Sequence, residues 1–195
     1  MDNKRKWILP ALLVCALIGF VCAAAAVSPL DVTVRNLITT GSVSLRIEEK
    51  SLENGVEKDY AEPVGGVPFL PGTSISRVSY MENTGSVPFY LRARAVVSVT
   101  GDDGPLPADV ICLRVDDRHW LAGGDGWLYY SDVVEPGPGN RVCFFDSVSF
   151  DGNAAAAYEN SEVKIVVEGQ AVQAKNNPLA KGASPVSAAG WPEQP

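Results

Sequence analysis

Few side chains in this sequence could act chemically on another molecule, and their spacing limits what they could do. There is one histidine, His119, next to Trp120. Hydrolysis needs a base set against a nucleophile, or a cluster of metal ligands, and no H-E-x-x-H, G-x-S-x-G or cysteine–histidine pattern occurs. A lone imidazole in this setting reads as a surface or packing residue. The acidic pairs Asp102-Asp103 and Asp116-Asp117, with Asp125 and Asp151, carry the hard oxygens that calcium takes. No D-x-[DN]-x-[DN]-G loop frames them, however, and aspartates in turns ordinarily bond their own backbone. The sequence thus predicts no catalytic residue, no metal ligand and no cofactor.

Two further groups are left. Cys112 and Cys143 stand outside any metal or redox spacing. They either close a disulfide over a loop of about 32 residues, worth roughly 3 to 4 kcal/mol in the chain-entropy picture, or remain separate buried thiols. Trp120, Trp127, Tyr129 and Tyr130 flank the turn Gly123-Gly124-Asp125-Gly126. Exposed, they would form a sugar-stacking surface and make the chain a monomeric carbohydrate- or surface-binding module; packed inward, they are core.

The elements that position these groups begin after a leader. Lys4-Arg5-Lys6 is followed by an apolar run from Trp7 to Val27 that ends in four alanines. A basic head, apolar centre and small-residue exit make a secretory signal helix over residues 1–26, cleaved between Ala26 and Val27; the competing reading is an uncleaved anchor. Bulky Phe20 and Val21 before Cys22, and Val14 before Cys15, argue against lipid attachment at either cysteine. Contact with a membrane is then through the leader only, and signal peptidase is a transient partner. Losing the leader moves the formal charge from −7 to −9 by removing Lys4, Arg5, Lys6 and Asp2. A chain so acidic does not bind nucleic acid through bulk charge.

Residues 27–174 read as one all-β domain. Period-two alternation marks Asp31 to Asn36, Gly41 to Glu49, Phe89 to Val99 and Glu162 to Val172. The Phe89 run sets Phe89, Leu91, Ala93, Ala95, Val97 and Val99 on a buried face. Tyr90, Arg92, Arg94 and Ser98 fall on a face that should meet solvent or a partner. Before it, Val78 and Tyr80 lie in another run across the turn Glu82-Asn83-Thr84-Gly85-Ser86, and the two read as neighbours in a meander. Residues 50–72 read as a loop holding a short edge strand. DVICLRV, the Trp120 and Trp127 hairpin, and Arg141 to Phe150 supply further strands. Ala154 to Ala157 is the only short helix. The proline-rich residues 175–195 carry too few apolar positions to order themselves and read as a disordered tail, with Trp191 exposed. The fold class is an antiparallel β-sandwich, jelly-roll-like, with one short helix.

Three stretches in order, NLITTGSVSLRIEE from Asn36, PGTSISRVSYMENTGSVPFYLRARAVV from Pro71 and DGWLYYSDVVEPG from Asp125, followed by FFDSVSFDG and VKIVVEGQAVQA, resemble the TasA/camelysin family of Gram-positive bacteria. The resemblance covers residues 36 to 174. It implies a secreted jelly-roll protein released by an ER-type signal peptidase, located at the cell surface or in the biofilm matrix. Its partners would be copies of itself or related matrix proteins. It also implies fibre assembly in which an extended N-terminal segment completes a neighbour's sheet. The donor would be VSPLDVTVR, Val27 to Arg35, with Leu30, Val32 and Val34 on one face; the alternative is that this segment is the first strand of its own sandwich. The metalloprotease label attached to camelysin finds no zinc-binding residues in this chain.

Overall fold

The computed structural model describes residues 42–61, 71–154, 156–158 and 161–192. The leader, the cleavage site at Ala26 and Val27, the run Asp31 to Asn36 and the donor positions Leu30, Val32 and Val34 lie outside the described residues. What is described is an all-β antiparallel sandwich. One sheet has the order β10 (Arg141–Phe145), β4 (Val78–Asn83), β1 (Leu45–Glu53), β2 (Val56–Asp59). A second runs β12 (Glu162–Gln173), β5 (Phe89–Gly101), β9 (Leu128–Tyr130), β8 (Trp120–Ala122), with β6 (Gly104–Leu106) also on β5. A small third sheet joins β3 (Ser74–Ile75), β11 (Val148–Phe150) and β7 (Ile111–Leu113).

The core follows from the alternation in β5. Phe89, Leu91, Ala93 and Val99 are buried and pack with Leu45 and Met81 of the first sheet and Ile165 of β12. β12 pairs with β5 without interruption from Glu162 opposite Thr100 to Gln173 opposite Phe89. It also lies close over β1: a Cβ on Gly169 would come within 2.8 Å of Leu45 Cδ2. A side chain there would force the Leu45 and Ile47 side-chain ends to shift, so glycine suits this close approach.

Four expectations are corrected. The runs on either side of Glu82 to Ser86 are not paired neighbours, because β4 belongs to the first sheet and β5 to the second. The turn between them is an arch that crosses the core edge. Asn83, fully buried, directs it: its Nδ2 donates to Val87 O at 2.9 Å and Val134 O at 2.8 Å, and its Oδ1 accepts from Gly85 N–H at 3.0 Å. Thr84 N–H and Ser86 N–H then bond Ser44 O and Ser42 O. Gly85 sits so close to this segment that a Cβ would fall 2.0 Å from Ser42 O.

Residues 50–53 extend β1 rather than open a loop, and the chain turns at Asn54-Gly55, with φ 53° and 79°, into β2, the short edge strand expected in this stretch. Two positive φ values in a two-residue turn match the twist of the strands they join. Arg141 to Phe150 is two strands in two sheets. Phe144 and Phe145 are consecutive yet both buried, which alternation forbids; a bulge between Cys143 and Phe145 resolves this, and the chain then turns at Asp146-Ser147 to pair with β7. The short helix is one 3-10 turn, Ala156–Tyr158.

The fourth correction concerns the tail. Residues 174–192 are ordered and lie on the outer face of the second sheet. Asn177 braces the tail by donating from Nδ2 to Ala189 O at 2.9 Å and accepting from Ala189 N–H at 3.3 Å. Tyr90, Val172 and Ala188 form a second small core there, packed by Ala174, Leu179 and Trp191.

Replacing Asn83 with Ala leaves Val134 O without its side-chain donor and frees the arch from its template. A loss of about 2 to 3 kcal/mol is expected in denaturant unfolding, with the same m-value.

Candidate functional site

Among the described residues, the feature with an unfilled capacity is a backbone edge. Beyond its pairing with β5, the other side of β12 meets no strand among the described residues. Ala174 N–H donates to Pro88 O at 2.9 Å, which puts the even-numbered backbone groups of β12 on the β5 side. The N–H and C=O groups of Val163, Ile165, Val167, Gly169, Ala171 and Gln173 therefore point outward along a strand of 12 residues. A long row of such groups is a template for another strand.

One of them is occupied. Arg77, only 9% exposed, donates from Nη2 to Ile165 O at 3.1 Å. The same guanidinium holds Glu49 of β1 at 2.9 and 2.8 Å and stacks over the Tyr60 ring at 4.8 Å. Arg77 thus clips the edge of the second sheet to the first.

The polar face of β5 has acquired a partner within the chain. Arg92 is 3% exposed and donates to Gln170 Oε1 at 2.9 and 2.6 Å, Tyr129 Oη at 2.9 Å, Asp125 Oδ2 at 3.3 Å and Pro192 O at 2.8 Å. Its guanidinium lies 4.6 Å from the Trp127 ring and 5.0 Å from Trp191, and Arg94 covers Trp127 at 4.6 Å while pairing with Glu168. Trp191 meets Tyr129 edge-on at 5.4 Å. The stack of arginine between aromatic rings makes a seat for Trp191, which is bound rather than exposed. Burial would raise the Asp125 pKa, but hydrogen bonds from the Tyr129 hydroxyl and the Trp127 N–H, together with Arg92, hold it below the usual carboxylate range.

The sugar-stacking surface does not form in this geometry. Trp120, Trp127 and Tyr129 are buried at 2 to 3% exposure. Trp120 instead packs on Phe144 at 4.9 Å and donates from Nε1 to Cys143 O at 2.8 Å. His119 lies 6.1 Å from Tyr130, ring over ring.

Cys112 and Cys143 stand as two separate thiols, both exposed rather than buried. β7 pairs with β11 and β10 with β4, which commits the two residues to different sheets. Desolvation, aided by the Asp146 carboxylate, pushes the Cys143 thiol up to about 11. Two of the acidic residues are taken up locally: Asp116 binds Arg118 at 2.7 Å, and Asp151 accepts from Asn153 N–H at 2.9 Å. Among the described residues no three acidic, histidine or cysteine side chains gather as a metal site.

Residues 62–70, between β2 and β3, lie outside the described residues. Alternation could not reveal the β12 edge, because it reports faces and not which strand ends a sheet. The length of the run and the glycine within it are the only signals. No family model, no curated protein and no solved structure matches this chain.

Trp191→Ala should leave the sandwich folded by circular dichroism but lower its stability by about 1 to 2 kcal/mol and open Trp127 to acrylamide quenching. The pH dependence has a definite sign. The folded pKa of Asp125 is depressed, so its contribution is complete above the unfolded value near ~3.9 and disappears as pH falls through the lower folded value. Tryptophan fluorescence should be flat from about pH 5 to 8 and should report loosening of the seat only in acid below about pH 4.

Proposed function

We propose that this protein is a secreted structural subunit of the cell surface or biofilm matrix, of the TasA type, that assembles head to tail by strand addition. The observation that carries this reading is the outer edge of β12, with six residues presenting paired N–H and C=O groups and no strand on them among the described residues. Natural sheets usually shorten, bulge or cover such an edge. β12 is neither short nor bulged.

The donor is the segment Val27 to Arg35 of the next copy. Its Leu30, Val32 and Val34 alternate with polar residues, and on the β12 edge they continue the row begun by Val163, Ile165 and Val167, which faces the core cluster. Backbone bonds would give affinity and this row of side chains would set the register. Because the donated segment and the accepting edge are different surfaces of one chain, repeated addition gives an open filament rather than a closed pair. Burial of Trp120, Trp127 and Tyr129 gives the carbohydrate-binding alternative no supporting surface.

Deletion of residues 27–35 should leave the β signal in circular dichroism intact and abolish growth of light scattering. The pair Val32→Asp and Val34→Asp should behave similarly, since an unpaired carboxylate buried at each junction costs several kcal/mol. If the deletion destroys the β signal and the protein aggregates, the segment is an internal strand and the proposal is wrong.

A further inference from the structure

The Arg77 clip lies on the same edge that the proposed assembly needs, and any role for it in assembly rests on that strand-addition reading. Ile165 is the fourth residue of β12, and its carbonyl is one of the outward groups that an added strand must bond. The guanidinium that holds this carbonyl cannot be pushed aside without cost. It is nearly buried, is bonded to both carboxylate oxygens of Glu49 and lies over Tyr60. It belongs to the link between β3 and β4, so it reaches β12 from the opposite sheet and crosses the mouth where a strand would enter.

We infer that Arg77 is a gate on the β12 edge: it caps Ile165 O in the isolated subunit, and an incoming strand displaces it. The device has a physical rationale. A free edge invites indiscriminate pairing, and a buried cation that can exchange one carbonyl for solvent blocks the edge without destroying it. Glu49 is the tether. Its side chain is 26% exposed, so it keeps Arg77 in place in the closed form and can still hold the cation after the carbonyl is given up. A short, weakly matched strand cannot displace a charge-assisted bond, whereas a strand that satisfies all six outward residues can, so the gate selects for length and register.

The test compares the full secreted chain with Arg77→Met and Glu49→Gln. Light scattering gives the critical concentration and lag of assembly, and hydrogen exchange follows the amides of Val163, Ile165, Val167 and Gly169. A gate predicts that Arg77→Met assembles at a critical concentration about tenfold or more lower, the equivalent of one charged hydrogen bond, with Glu49→Gln between it and the parent. In every case assembly should bring protection to those four amides. Equal critical concentrations with protected amides would overturn the gate and leave strand addition standing. Assembly that leaves the β12 amides unprotected, or no assembly by any of the three proteins, would overturn the strand-addition reading and the gate with it. If Arg77→Met fails to fold by circular dichroism, Glu49→Gln decides: it keeps the cation and removes only the tether's charge, and an unchanged critical concentration counts against the gate.

Discussion

A single buried amide decides that this chain makes a sandwich and not a flat meander. Asn83 ends β4, and its side chain uses both donors and its acceptor at once, on Val87 O, Val134 O and Gly85 N–H. Its own carbonyl accepts from Gly137 N–H at 3.3 Å, and Val134 in turn pairs with Phe89. The first residues of β5, the segment before β10 and the strand leaving the first sheet are therefore all referred to one group. Because Asn83 is fully buried, each of these bonds would be costly to lose. The crossing places β5 opposite β4 rather than beside it, and the facing rows Phe89, Leu91 and Ala93 against Leu45 and Met81 become the core.

Much of this was legible in the sequence, but unevenly. Alternation located β5 and β12 almost to their ends, and the aromatics around Gly123 to Gly126 gave the β8–β9 hairpin, because these signals are local. The arch was not legible. Asn83 and Gly85 would serve equally well in a hairpin, and only distant carbonyls distinguish the cases. Phe144 and Phe145 concealed a bulge for a related reason, since two adjacent large apolar residues can extend a strand or break it. The tail was misread because its few apolar residues were counted alone. Trp191, Leu179 and Ala188 suffice when Tyr90, Val172 and the Arg92 seat already provide the other half of the contact.

The two outer faces of the sandwich have been treated differently. The first sheet carries pairs such as Lys50 with Asp59 and Arg141 with Glu57, each at 2.6 Å, along with Arg46 and Glu82. The exposed pairs Lys50–Asp59 and Arg141–Glu57 contribute little stability and keep a face hydrated, whereas Glu82 is buried and also accepts from Gly139 N–H. The second sheet hides Arg92 under a third layer, where it is desolvated and fully bonded, and leaves Arg94 partly exposed. Period two alone cannot tell these faces apart, because arginine marks both. What separates them is the aromatic company: Trp127, Tyr129 and Trp191 lie within reach of Arg92, while on the first sheet Arg141 has only Tyr80, at 4.0 Å.

The pairing of β5 with β12 also governs when the molecule can exist. Every rung joins residues far apart along the chain, from Thr100 with Glu162 to Phe89 with Gln173, and the Arg92 contact to Pro192 O spans 100 positions. Such non-local closure makes folding slow. Until residues 162–173 pair with it, β5 has no long partner, and until Pro192 arrives Arg92 lacks one of its acceptors. Any state in which residues 162–173 are not yet in place therefore lacks the principal ladder, and the sandwich is complete only when that segment arrives.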